Sequence, residues 1–134
     1  VIATVALLAA LAVAPPGQIT VTGARGEAKV PIRLDPAGAP VVSAPVLLAA
    51  LDGTIRAEAG WLEVTVARQP FRFLIGAPLY MFSNQVQTLA SPVWVTRDTV
   101  YIPFHFVSEI IPYFLSERYR YDPRGARLED LAAG

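Results

Sequence analysis

Twelve prolines and nine glycines punctuate this 134-residue chain, and they limit how long any regular element can be. Proline removes a backbone donor and fixes its own φ, while glycine weakens helix and strand interiors alike. A chain broken this often folds into short elements joined by many turns. Between the breaks, apolar residues recur more often at a spacing of two than at a helical spacing. The implied fold class is α+β, with small, mostly antiparallel sheets and two short helices.

The pattern divides the chain as follows. Ile19 and Val21 alternate with Gln18, Thr20 and Thr22, which predicts an edge strand within a lead at 15–27. Gly23 to Gly26 turns it back into Ala28–Leu34, where Val30, Ile32 and Leu34 share a face and Pro31 argues for a sheet edge. Asp35-Pro36-Ala37-Gly38 is a turn. Ser43 is an N-cap with Pro45 in the first turn, Leu47, Leu48 and Leu51 keep helical spacing, and Asp52-Gly53 ends the helix at a glycine C-cap. Thr54–Glu58 is a short strand. Trp61–Val66 sets Leu62, Val64 and Val66 on one face and Trp61, Glu63 and Thr65 on the other. Arg68-Gln69-Pro70 turns the chain into a strand lined by Phe71, Phe73 and Ile75.

Residues 77–92 have mixed polarity, with a short strand at Val86–Leu89. Val93-Trp94-Val95 and Thr99–Ile102 flank the turn Thr96-Arg97-Asp98. Pro103 opens a second helix that gathers Phe104, Phe106, Val107, Ile110, Ile111 and Phe114 in one arc, opposite His105, Ser108 and Glu109. Pro112 makes its last turn irregular. Arg118–Tyr121 is a final strand, Asp122-Pro123-Arg124-Gly125 a turn, and 124–134 the start of a linker to a further domain, or of another strand. Val41–Ala57 and Tyr101–Arg120 both read as apolar lead, Pro, amphipathic helix and strand, which points to two related β-α-β half-units.

Residues 1–14, VIATVALLAALAVA, are uncharged and end at Pro15-Pro16-Gly17. A bilayer span takes about 20 apolar residues, so this run gives no stable membrane span. Small residues at Ala10 and Ala12, or at Ala12 and Ala14, fit the cleavage pattern of an export signal. The run is expected to be a truncated signal-peptide core, lacking its initiating Met and basic start, and it predicts secretion to the periplasm or cell envelope.

The side-chain inventory narrows the chemistry. Eleven basic and eleven acidic residues cancel, leaving no basic excess to hold nucleic acid. The absence of cysteine removes disulfides, thiolate metal sites and a cysteine nucleophile together. His105 and Glu109 stand four apart on a helix, but two ligands are too few for a stable metal site. No Gly-x-Ser-x-Gly elbow frames Ser108 or any other serine. Asp35, Asp52, Asp98 and Asp122 each precede a turn, where a carboxylate satisfies local N–H groups. No metal or other cofactor is therefore expected in this chain. Trp61, Trp94, Tyr80, Tyr101, Tyr113, Tyr119 and Tyr121 offer a platform for sugar rings, set against their ordinary role in core or strand packing, and Trp61 is the best exposed of them. Glu63 shares its face and Arg72 stands on the neighbouring strand, so Trp61, Glu63 and Arg72 form the candidate binding set.

Asn84-Gln85-Val86-Gln87-Thr88-Leu89-Ala90-Ser91-Pro92 is followed by Arg97-Asp98-Thr99-Val100-Tyr101-Ile102-Pro103, then Phe106-Val107-Ser108-Glu109 and Tyr121-Asp122. This series resembles the stalk domain named after the N-terminal domain of copper amine oxidases, over about residues 28–123. Leu51-Asp52-Gly53 to Phe73-Leu74-Ile75-Gly76 looks like the tail of a preceding copy of the same unit. His105 departs from the pattern on an outward helix face. The resemblance implies a non-catalytic module, for peptidoglycan targeting or spacing, of a secreted N-acetylmuramoyl-L-alanine amidase. Zinc is expected only in that amidase's catalytic domain, outside this chain, and no copper site is implied. The partner expected is peptidoglycan or another envelope component, with the oligomeric state open. The alternatives are a domain that self-associates through an exposed sheet edge, or a wall hydrolase in its own right, against which the single histidine argues.

Overall fold

The structure is a computed structural model that describes residues 17–23 and 26–133. The apolar run at 1–14 lies outside the described residues.

Turn chemistry and alternation together build the first sheet. β1 (Gln18–Gly23) and β2 (Gly26–Leu34) form a hairpin in which Gly23 faces Gly26. The Asp35 carboxylate accepts the N–H groups of Ala37 and Ala39, each at 2.9 Å, and so bends the chain into β3 (Pro40–Ser43). β9 (Trp94–Val95) and β10 (Val100–Pro103) form a second hairpin, and β11 (Tyr119–Asp122) with β12 (Arg127–Asp130) a third. The order is β11-β12-β1-β2-β3-β10-β9, with β1 and β12 parallel and the other neighbours antiparallel. The second sheet is a five-stranded antiparallel meander of β4 (Thr54–Glu58), β5 (Trp61–Val66), β6 (Gln69–Leu74), β7 (Leu79–Phe82) and β8 (Gln85–Thr88).

The first helix, α1 (Ala44–Leu51), starts where the Ser43 hydroxyl accepts the Val46 N–H at 3.4 Å, with Pro45 in the first turn. It buries Ala44, Leu47, Leu48 and Leu51. The second helix is a π-helical turn, Phe106–Ile110, running into α2 (Ile111–Phe114). α1 touches β1, β2, β3 and β10 of the first sheet and β4 and β5 of the second. Phe106 sets its ring edge-on to Phe71 and Phe73, with centroids 5.1 and 5.3 Å apart. The helices thus form a layer between the sheets, in one continuous core. Among the described residues the fold is mostly β, with two sheets and two short helices, in keeping with the α+β class.

The structure corrects several local expectations. β2 is interior, not an edge. Pro31 is tolerated because the β1 ladder ends there, opposite Gln18, and the β3 ladder begins at Ile32. The left-handed residue closing α1 is Asp52 (φ 58°), not Gly53. Gly53 is needed for space instead, since a Cβ there would strike the Thr65 carbonyl and the Leu48 side chain. The β5–β6 turn is Ala67-Arg68, and Gln69 and Pro70 already belong to β6. β7, within the stretch read as mixed polarity, is a full member of its sheet. Pro103 is the last residue of β10, and the helical backbone begins one residue later, at Phe104. The disturbance from Pro112 lies upstream, in the π-helical turn, because its ring collides with the carbonyl one turn earlier. β1, expected at a sheet edge, lies inside the first sheet between β12 and β2, and of the two readings of the C-terminal stretch it is the strand that forms, as β12.

Candidate functional site

Alternation along β5 and β6 sends Leu62, Val64, Phe71 and Phe73 into the core, so Trp61, Glu63 and Arg72 project from the opposite face of the second sheet. Register then decides which of them meet. Arg56, Glu63, Arg72, Met81 and Val86 lie side by side across the five strands, and Glu58, Trp61 and Leu74 form the adjoining row. The Arg72 guanidinium carbon lies 4.7 Å from the centre of the Trp61 ring, a cation–π arrangement. Arg56 Nη2 donates to Glu63 Oε1 at 3.3 Å and lies 3.7 Å from Glu58 Oε2. Together Arg56, Glu58, Ala59, Trp61, Glu63 and Arg72 line an open groove of about 320 Å³.

The structure therefore brings together all three side chains singled out in the sequence. It adds Arg56, which carries no motif of its own, and Glu58, which the sequence sets with Glu63 beside a turn and facing water. The signal for both was the two-residue turn Ala59-Gly60, since counting back from it places Glu58 opposite Trp61 and Arg56 opposite Glu63. Exposed ion pairs of this kind contribute about 0–1 kcal/mol each, so the charges can exchange partners with a ligand at little cost to the fold.

The remaining candidates fall elsewhere. Trp94 stacks on Tyr101 at 4.9 Å in the first sheet, where Arg33 Nη1 donates to the Tyr101 hydroxyl at 2.7 Å. Tyr80 and Tyr119 are core residues, so the aromatics make no single platform. His105, read as solvated helix surface, is half-buried beside the segment that follows β8, and its Nδ1 accepts the Ala90 N–H at 3.5 Å. Burial pushes its pKa down against the opposing pull of the Glu109 carboxylate, which favours the neutral ring. Among the described residues, no group of three or more His, Cys, Asp or Glu side chains is placed to hold a metal ion. Asp122, like Asp35, accepts a local N–H, from Arg124 at 3.0 Å. In the Thr96–Thr99 turn, by contrast, it is the Thr96 hydroxyl rather than Asp98 that accepts the N–H groups of Asp98 and Thr99. Among the described residues no helix is long and apolar enough to cross a membrane.

No family model, curated protein or solved structure matches the chain.

Proposed function

We propose that the chain is a non-catalytic targeting module of the cell envelope, attached to a secreted N-acetylmuramoyl-L-alanine amidase, and that the outward face of the second sheet meets peptidoglycan. The observation that carries this reading is the Arg56–Glu63–Arg72 row beside Trp61. Peptidoglycan presents sugar rings together with peptide stems that end in carboxylates. A guanidinium resting on an indole is already ordered, so less freedom is lost when it pairs with a carboxylate through two parallel hydrogen bonds. Trp61 then supports Arg72 on one ring face and offers the rest of its apolar face to the C–H face of a sugar ring. Such a site is weak alone and acts by raising the effective concentration of an attached enzyme at its substrate. Zinc belongs, in this reading, to the amidase domain. Nothing asked of this chain needs a cofactor or nucleic acid.

The pairing of β3 with β10 supports the finer reading of two related half-units. Each of these strands leads into a helix, and they run antiparallel with Val42 facing Ile102.

The test is co-sedimentation of the purified chain with insoluble peptidoglycan. Trp61→Ala combined with Arg72→Ala is expected to reduce the bound fraction about tenfold, the effect of losing one good charged contact. Circular dichroism checks that the fold is kept. The proposal is overturned if the unaltered chain stays in the supernatant, or if the double variant sediments equally well.

A further inference from the structure

Two open sheets have four edges, and three of these carry features that discourage pairing with another chain. β4 bears Arg56 and Glu58, β11 bears Arg120 and Asp122, and β9 is only two residues long. β8 is different. Its sequence Gln-Val-Gln-Thr has no charge, no proline and no glycine, and among the described residues its only sheet neighbour is β7.

The backbone of β8 is also poised for a partner. Bonded and non-bonded pairs alternate along an antiparallel ladder. The two-residue turn Ser83-Asn84, with φ of 53° and 65°, closes on the pair Phe82–Gln85, and the Leu89 N–H reaches the Pro78 carbonyl at 2.9 Å. Gln85, Gln87 and Leu89 thus bond to the β7 side, and Val86 and Thr88 direct their N–H and C=O groups outward. The two most exposed large apolar side chains among the described residues flank this edge. Val86, 65% exposed, stands on the outward face. Tyr113, 75% exposed, shares with Gln87 a groove of about 300 Å³ on the helix side.

We propose that β8 is a self-association edge, where two copies of the chain pair antiparallel about a two-fold axis through Gln87. In this register Val86 of each copy exchanges both backbone hydrogen bonds with Thr88 of the other, giving four bonds, and the two Gln87 residues face each other as a non-bonded pair. No like charges oppose along the paired strands, and the β-branched Val86 and Thr88 sit side by side across the axis, a favourable cross-strand pairing. A second copy is the occupant because the strand complements itself under two-fold symmetry. Pairing four residues buries less than the roughly 1,200 Å² of a standard interface, so the dimer is weak and concentration-dependent. It would join two five-stranded sheets into one and set two Trp61–Arg72 faces on a continuous surface, which adds avidity.

The sequence holds no cysteine, so Gln87→Cys introduces a single thiol into the full chain at the axis. A non-bonded antiparallel pair has Cα atoms about 4.5 Å apart, within disulfide range. Under mild oxidation, Gln87→Cys is expected to form covalent dimer at least about tenfold faster than Thr54→Cys, whose thiol stands on the β4 edge. In sedimentation equilibrium the unaltered chain should rise above monomer mass with concentration, while Val86→Lys stays monomeric. Equal cross-linking rates for the two cysteines overturn the proposal. So does a unaltered chain that stays monomeric at all concentrations, or a Val86→Lys variant that associates as readily. None of these readouts involves peptidoglycan, so this proposal and the envelope reading stand or fall separately.

Discussion

Arg118 and Asp130 make the best-formed ion pair among the described residues. Arg118 Nε and Nη2 donate to the two Asp130 carboxylate oxygens at 2.6 and 3.1 Å, fastening the start of the β11–β12 hairpin to its end. The Asp130 side chain is 12% exposed, and the Arg118 hydrogen bonds hold its carboxyl below the ordinary carboxylate range, against the opposing effect of burial. A pKa depressed by folding stabilises the fold above the unfolded value of about 3.9, and that contribution disappears as pH falls through the lower folded value. Because the Arg118 side chain is 42% exposed, solvent screening limits the contribution to about 1 kcal/mol. Asp130→Asn should therefore melt a few degrees lower than the unaltered chain at pH 7, and the gap should close below about pH 4. Thermal melts across that range check this, and a gap that persists in acid would contradict it. This pair was not legible in the sequence, because its acid lies in a stretch that reads equally as a linker or as a strand with no assigned neighbour. Trp61, Glu63 and Arg72 were legible for the opposite reason. Strand alternation alone puts Trp61 and Glu63 on one face, and the neighbouring strand supplies Arg72.

The β5–β6 hairpin turns on Ala67 and Arg68, both with positive φ, at 49° and 67°. Two such residues give the backbone twist that a two-residue hairpin needs, but non-glycine side chains in this region cost roughly 1–2 kcal/mol each. Asn-Gly adopts the same turn with far less strain, so Ala67→Asn with Arg68→Gly should stabilise the chain by about 1 kcal/mol, after glycine's larger loss of freedom on folding. The thermal midpoint should rise by roughly 3–6 °C. A midpoint that stays level or drops would show that the turn is not of this type. The same hairpin explains a misplaced boundary. Arg68-Gln69-Pro70 reads as a turn because proline usually breaks a strand. Here Pro70 faces Thr65 in a non-bonded pair, and the β7 ladder begins only at Phe71, so neither neighbour asks for its missing N–H. β7 was missed because Leu79-Tyr80-Met81-Phe82 is apolar without alternation, leaving no period to detect. In the second helix the apolar arc survived although the backbone did not stay α-helical, since Phe106, Val107, Ile110 and Ile111 are all buried.

At the scale of the whole molecule, sequence patterns give the faces but not the partners. Thr20 pairs with Arg127 and Val21 with Leu128 in the β1–β12 ladder, and no local signal joins strands so far apart in the chain. What selects that arrangement is the shared core, in which the two sheets meet through the helices. Phe106 is its central contact, fully buried and edge-on to Phe71 and Phe73 of the second sheet. The same π-helical turn packs against β10 and β11 of the first sheet. Because each sheet has one face covered by this layer, neither keeps a dry core without it, and the intact chain should unfold in a single cooperative step. Phe106→Ala should cost about 3–5 kcal/mol, the range for removing a buried aromatic ring. The loss should also be uneven. The first sheet keeps α1 packed on β1, β2, β3 and β10, while the second loses the ring that seats β6 against the helices. Native-state hydrogen exchange in the variant should therefore show amides of β5, β6 and β7 opening before those of β1 and β2. If both sheets lose protection together, Phe106 is one core residue among many, and the coupling between the sheets is carried instead by α1, which also touches both.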